Sequence, residues 1–435
     1  MWYKSKKIFD LYHFLCYNGR IFRTKENAMQ FIKREKYLQL IRRQYDIDLI
    51  KVITGVRRAG KSVLLSQIKD EIRNRGVKAD HVIEINFEDL SFEKIRSSVK
   101  LNDYIQKQIK DSDKYYIFLD EIQHVRQYEV VLASLRATKN VSIFVTGSNS
   151  KLLSGRLASK LVGRCVEFRI LPFSYSEMLE YYQSNHLTLP EDPLADYLVY
   201  GGMPLRFSYS DQEDILNYLK TIYNGIIDKD ICTPNSRINR EKFHIIADYV
   251  LGNVGKRFSA SNVSDYFEKS NASDLPRSMV YRYIEKLEQA CILTRVPRYD
   301  VSGKRMMKAV EKHYCVDPGF RTVSVTSVTT SLSENLENVV YNELITRGYT
   351  VYIGKTYRGE IDFIAIKGQK KCFIQVCYLL SSPEVIEREF GAFSSVKDAS
   401  PKYVMSLDRF DLSRDGITHI NLEKWLKGEI TLNLS

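Results

Sequence analysis

The stretch Val52–Leu65, V-I-T-G-V-R-R-A-G-K-S-V-L-L, limits what this chain can fold into more than any other. It reads as an apolar strand, a loop bracketed by Gly55 and Gly60, and a helix opening near Lys61. The two glycines let the backbone curl until successive N–H groups face phosphate oxygens. A helix starting at that point adds the positive end of its dipole. In this G-x-x-x-x-G-K-S pattern the loop Gly55, Val56, Arg57, Arg58, Ala59 and Gly60, with Lys61, Ser62 and Val63, cradles a nucleotide's phosphates. Lys61 reaches the outer phosphates, and the Ser62 hydroxyl ligates Mg²⁺.

From Asp46 onward, strand runs and helical patterns alternate. The strands are expected at Asp48–Thr54, His81–Phe87, Lys114–Leu119, Val141–Thr146 and Cys165–Ile170. Such alternation predicts a parallel sheet covered by helices on both faces, an α/β fold of the P-loop NTPase class. The run Tyr115–Leu119 ends in Asp120 and Glu121. An acid at that place holds Mg²⁺ through water, which suits Asp120, and Glu121 is then set to polarise the attacking water. The next strand ends in Gly147-Ser148-Asn149-Ser150. If that strand lies between the P-loop strand and the Asp120 strand, Ser148 or Asn149 can sense the γ-phosphate. Arg156 and Arg164 follow, either of which could serve as an arginine finger in cis or across a subunit interface.

A chain of 435 residues has room for two or three domains. No apolar run approaches the length of a membrane span, so no membrane association is expected. Asp10, His13 and Asn18 break the apolar part of the basic N-terminus, which argues against a signal peptide. Met29 reads as an alternative start, followed by a helix. Seven cysteines without a C-x-x-C pair suit reduced thiols in the cytoplasm. The net charge is +12, and about half of it falls in the first fifty residues. That charge fits nucleic acid or another anionic surface and equally a Lys- and Tyr-rich composition bias.

The motifs G-V-R-R-A-G-K-S, I-F-L-D-E-I-Q, V-T-G-S-N-S, L-V-G-R and L-P-F-S-Y-S-E together resemble a group of archaeal and bacterial AAA-type ATPases. The later G-G-M-P, H-Y-C-V-D-P-G-F-R and R-G-E-I-D-F runs resemble the C-terminal domain of unknown function DUF4143 attached to them. The resemblance implies ATP as the nucleotide, Lys61, Ser62, Asp120 and Glu121 as the residues that carry it with Mg²⁺, and Arg164 as the preferred finger. It also implies a helical lid over residues 174–235, interrupted at Gly201–Pro204. The expected domains are an N-terminal extension and helix (1–45), the ATPase core (46–173), the lid (174–235), a winged helix (236–320) and a nuclease-like domain (321–435).

The winged-helix reading rests on helical patterns near Arg240–Leu251, Ser261–Lys269 and Pro276–Ala290, then two strands joined at Ser302-Gly303. The third helix offers Arg277, Arg282 and Lys286, and the hairpin offers Arg298, Lys304, Arg305 and Lys308, an arrangement suited to double-stranded DNA. Further on, Glu337 on a helix, Asp362 on a strand and Gln375-Val376-Cys377 on the next strand follow the order of a restriction-endonuclease-like core. That core needs a Glu or Asp and a Lys where Gln375 and Cys377 stand, so fold retained and cutting lost is the expectation, with Glu360 as a substitute ligand. Three functions are therefore carried forward. The first is an ATP-hydrolysing switch coupled to DNA, the second an ATP-gated metal-dependent nuclease, and the third a signalling or chaperone-like ATPase acting on a protein partner. The sequence leaves oligomeric state open.

Overall fold

The computed structural model describes residues 30–434 except 149–162, 236, 260–262, 265–274, 302, 304, 325–331 and 358. Two units separate by their internal contacts. One runs through Gly55 and includes Gly60–Ile170 and Gln183–His186; the other is Val56–Ala59, Leu171–Tyr182 and Leu187–Ser435.

In the first unit the chain forms α1 (Glu35–Arg42), β1 (Ile50–Thr54), α2 (Lys61–Asn74), β2 (Val82–Asn86), α3 (Ser98–Gln108), β3 (Tyr115–Asp120), α4 (Tyr128–Thr138), β4 (Val141–Gly147) and β5 (Cys165–Arg169). The five strands are parallel in the order β2-β3-β4-β1-β5. The β4 strand thus lies between β1 and β3, as the sequence reading required. All six residues of β3 are buried because helices cover both faces of the sheet, which is why this strand reads as an unbroken apolar run. On one face Ile117, Leu119, Ile143 and Val145 pack with Leu101 and Ile105 of α3 and Leu132 and Leu135 of α4. On the other, α2 packs against β3 and β4, and Phe118 stacks on Phe144 at 4.9 Å. Each such fully buried side chain contributes roughly 1.5–3 kcal/mol.

One strand residue breaks the apolar pattern. Lys51 is fully buried, and its Nζ donates to Ile47 O at 2.7 Å and to Ser142 Oγ at 3.0 Å. Burial pulls its pKa down to about 8.

In the second unit the helical stretch forms α5 (Tyr175–Ser184), α6 (Pro193–Tyr200), α7 (Gln212–Gly225) and a π-helical turn at Ile226–Cys232. Next come α8 (Arg240–Gly252), β6 (Arg257–Phe258), α9 (Arg277–Gln289), β7 (Leu293–Asp300), β8 (Arg305–Cys315), α10 (Pro318–Ser324) and α11 (Leu332–Thr346). The chain closes with β9 (Thr350–Lys355), β10 (Glu360–Lys367), β11 (Lys370–Val376), α12 (Pro383–Gly391), β12 (Lys402–Ser406), β13 (Thr418–Asn421) and α13 (Leu422–Lys427). One sheet holds all eight strands, ordered β13-β12-β11-β10-β9-β7-β8-β6. The β7–β8 hairpin is therefore continuous with the C-terminal strands through the parallel β7–β9 pairing. Most of the helix expected at Ser261–Lys269, together with Lys304, lies outside the described residues.

Two of the motifs quoted above turn out to pack on each other. Asp317 is buried, and its carboxylate accepts the N–H of Gly202 at 2.7 Å and of Gly319 at 2.9 Å. A Cβ on Gly201 would lie 1.8 Å from Asp317 Oδ1, and one on Gly202 would lie 1.9 Å from Phe173 O, so both positions require glycine. Burial pushes the Asp317 pKa up to about 6 despite its two N–H donors. Arg321 donates to Asn335 Oδ1 at 2.6 Å and to Leu251 O at 3.2 Å, fastening α10 to α11 and α8. These motifs are therefore structural in the second unit. Among the described residues no helix is long and apolar enough to cross a membrane.

Candidate nucleotide site

The β1 strand is buried along its length and delivers the chain at Gly55, whose φ of +150° and missing Cβ let it pass Ile170 O; a Cβ there would approach that oxygen to 2.4 Å. Gly60, at φ +93°, starts α2 with no side-chain cap and no acid in the first turn. The positive end of the helix dipole thus lies at the loop. By contrast Asp211 caps α7 and Asn239 caps α8 with their own side chains.

Lys61 is 4 % exposed, with Nζ 3.2 Å from Gly55 O and 4.0 Å from Glu121 Oε1. The Ser62 side chain lies near enough to Asp120 to favour its ionised form. Burial pushes the Asp120 pKa up to about 6, and the hydrogen bond from Thr146 works against that rise. Glu121 follows β3 with φ +53°, a left-handed conformation that costs about 1–2 kcal/mol outside glycine. Its carboxylate faces Lys61, 4.0 Å from Nζ, and its charge adds to the rise at Asp120. Lys61, Ser62, Asp120 and Glu121 are thus gathered at the C-terminal ends of β1 and β3.

Two residues absent from the sequence reading complete the arrangement. Thr146, fully buried on β4, donates to Asp120 Oδ1 and accepts the Glu121 N–H at 2.9 Å. Gln123 donates from Nε2 to Glu121 Oε2. The signals were present, Thr146 as the last strand residue before Gly147-Ser148 and Gln123 two places after Glu121, but side-chain hydrogen bonds leave no periodicity.

Among the remaining expected residues, Val56 and Ala59 are buried, Arg58 is exposed, and Val63 is half-buried on α2. By their contacts Val56–Ala59 group with the second unit, within which Arg57 Nη1 lies 2.9 Å from Asp230 Oδ1. Ser148 is half-buried one residue beyond Gly147, which pairs with Thr54 beside the loop. Asn149 and Arg156 lie outside the described residues. Arg164 is exposed and precedes β5; its carbonyl accepts the Ile50 N–H at 2.9 Å. That is the opposite end of the sheet from Gly55, about 16 Å along β1.

A second constellation sits in the other unit. Glu337 of α11 and Glu360 and Asp362 of β10 surround Lys312 of β8, whose Nζ lies 2.8 Å from Glu360 Oε1, 3.1 Å from Glu337 Oε1 and 4.0 Å from Asp362 Oδ1. Gln375 Oε1 accepts the Asp362 N–H at 3.3 Å, and burial pushes the Cys377 thiol up to about 12. Arg298, expected at a DNA backbone, is instead buried against Glu360 at 3.3 Å. On α9, Arg277 and Arg282 are exposed and Lys286 is half-buried.

Residues 48–179 match the family model of an AAA domain, and residues 191–331 match that of a domain of unknown function, DUF8612. The latter stands where DUF4143 was expected, and it spans both the Gly201–Pro204 and Asp317–Arg321 motifs. An uncharacterised protein of Haemophilus influenzae is 33 % identical over 401 residues, covering 91 % of this chain and 98 % of that protein. A second, MJ1544 of Methanocaldococcus jannaschii, also uncharacterised, is 29 % identical over 391 residues and covers 86 % of each chain. Among solved structures, Cdc6p from Pyrobaculum aerophilum (11 % identity, 67 % of this chain, 92 % of that one) and AMPPCP-bound DnaA from Aquifex aeolicus (16 %, 62 %, 93 %) each give a TM-score of 0.30, too low to carry weight. The chain belongs to one family with the Haemophilus influenzae protein, and its residues 48–179 form a P-loop AAA domain.

Proposed function

We propose that this protein is a Mg²⁺-dependent ATPase whose nucleotide state switches its second unit, with duplex DNA as the target. The observation that carries the reading is the gathering of Lys61, Ser62, Asp120 and Glu121 at one sheet end, beside an uncapped helix N-terminus. The residues fit the ligand. Ser62 lies near enough to Asp120 to favour its ionised form, which suits a hydroxyl on the ion and a carboxylate holding it through water, and no acid in the first turn of α2 repels phosphate. Mg²⁺, when bound, neutralises phosphate charge and favours the ionised form of Asp120.

The chain's own part follows from its geometry. The Gly55–Gly60 loop and the first amides of α2 hold the phosphates, and Lys61 adds a fixed positive charge. Glu121 orients a water and takes its proton, while Gln123 and Thr146 hold that carboxylate and its backbone in place. Ser148 follows the last strand residue beside the loop and reads the terminal phosphate. Arg164 meets a nucleotide only in the site of another copy.

DNA as target rests on α8, α9 and the β7–β8 hairpin, a winged-helix order in which α9 presents Arg277 and Arg282 outward. The C-terminal strands are read as a nuclease-like core that has lost its chemistry. Fluorescence anisotropy with labelled duplex DNA, with ATP or ADP present, tests the coupling. Salt-sensitive binding that differs between the two nucleotides supports it. Binding absent at low salt in both states moves the target to a protein.

A further inference from the structure

The acidic residues that order the C-terminal domain like a nuclease do not stand empty-handed. They already enclose a cation, and it comes from the chain. Lys312 is 5 % exposed, although an isolated ammonium is expensive to bury. Burial opposes its charge, and the fields of Glu337, Asp362 and Glu360 outweigh that, holding its pKa above the ordinary lysine range.

Every carboxylate of the group is engaged. Glu337 Oε1 takes the Tyr314 hydroxyl at 2.6 Å as well as Lys312 at 3.1 Å. Glu360 accepts Lys312 on Oε1 at 2.8 Å, and Arg257 and Arg298 on Oε2 at 3.1 Å and 3.3 Å. Asp362 Oδ2 accepts the Val376 N–H at 2.9 Å. Three carboxyl groups thus face three cationic side chains. A divalent ion added here would sit beside an ammonium and two guanidinium groups, and it needs oxygens nearer, at about 2.0–2.1 Å for Mg²⁺. The amide oxygen of Gln375, a neutral oxygen at this site, is turned to the backbone of Asp362.

We propose that Lys312 is the resident cation of this carboxylate site: its ammonium stands where a divalent metal would, excludes that metal, and clamps β8 onto α11 and β10. Cutting is blocked by an occupant as well as by the changes at 375 and 377. The inference concerns the second unit alone and is independent of ATP hydrolysis. Removing the lysine should open the site.

The test is a Mn²⁺ titration of the nucleotide-free full chain by calorimetry and thermal melting, comparing wild type, Asp362→Asn, Lys312→Ala and Lys312→Ala/Asp362→Asn. The expected result is equal uptake by wild type and Asp362→Asn. Lys312→Ala gains a site, lost in the double variant, and its melting temperature rises by more than about 3 °C with Mn²⁺. Wild-type uptake that Asp362→Asn removes overturns the proposal. So does Mn²⁺-dependent plasmid cleavage removed by that substitution, or a folded Lys312→Ala without added uptake. If Lys312→Ala does not fold, the wild-type and Asp362→Asn pair still decides, since equal uptake supports the proposal and lower uptake in Asp362→Asn overturns it.

Discussion

Thr146, on β4, donates its hydroxyl proton to Oδ1 of Asp120 at the end of β3. The Thr146 hydroxyl oxygen in turn accepts the Glu121 N–H at 2.9 Å, so one small side chain on the neighbouring strand fixes both acids. A hydroxyl that donates once and accepts once can do this within a buried space where water would be loose. The left-handed turn at Glu121 is held from the same point.

Thr146→Val keeps the shape of the side chain and removes the hydroxyl. ATP turnover is expected to fall about tenfold to a hundredfold, with nucleotide affinity changed far less. Thr146→Ser keeps the donor and should retain most of the rate. Steady-state phosphate release with parallel binding of a fluorescent ATP analogue checks both.

Asp120 gives a pH signature. Burial raises its pKa from 3.8 to about 6, so the fold favours the neutral acid. The stability this contributes is complete below about pH 3.8 and lost as pH rises through about 6. At neutral pH the nucleotide-free protein therefore carries a cost of about 3 kcal/mol at this residue. Asp120→Asn should melt higher than wild type at pH 7.5 without nucleotide, the gap closing toward pH 4, and should lose hydrolysis. Melting curves across that range decide.

In the second unit, Gly202→Ala drives a methyl group into the carbonyl of Phe173 and is expected to cost at least about 3 kcal/mol. Asp317→Ala leaves the N–H groups of Gly202 and Gly319 without their acceptor, at roughly 2–4 kcal/mol. Urea unfolding of the two variants against wild type measures both losses.

The DNA reading makes Arg277 and Arg282 the exposed contacts on α9. Replacing both with alanine should reduce the salt dependence of duplex binding by about two charges and leave ATP turnover without DNA unchanged. A salt titration of anisotropy for wild type and the double variant reads this directly.

The first unit was largely legible in the sequence, for a physical reason. Strands buried on both faces, such as Tyr115–Asp120, leave continuous apolar runs, and the phosphate loop needs Gly55 and Gly60 in order. Lys61, Ser62, Asp120 and Glu121 could thus be located by spacing. Thr146 and Gln123 could not, because which side chain reaches which acid depends on how adjacent strands and turns meet. The second unit was less legible. Arg298 read as a surface charge on a hairpin and Lys312 drew no reading, and only the joining of β7 and β8 to the C-terminal strands turns both inward. The Gly201-Gly202 pair read as a helix stop, which it is, but its partner Asp317 lies more than a hundred residues away in sequence.

The most direct test of the central claim is Mg²⁺-dependent ATP hydrolysis by wild type and Glu121→Gln, with nucleotide binding measured on the same preparations. Glu121→Gln keeps the size of the side chain and removes its capacity to take a proton. The account predicts turnover in wild type and at least about a hundredfold less in Glu121→Gln, with ATP still bound. Equal turnover in the two proteins, or none in a wild type that binds ATP, would contradict it.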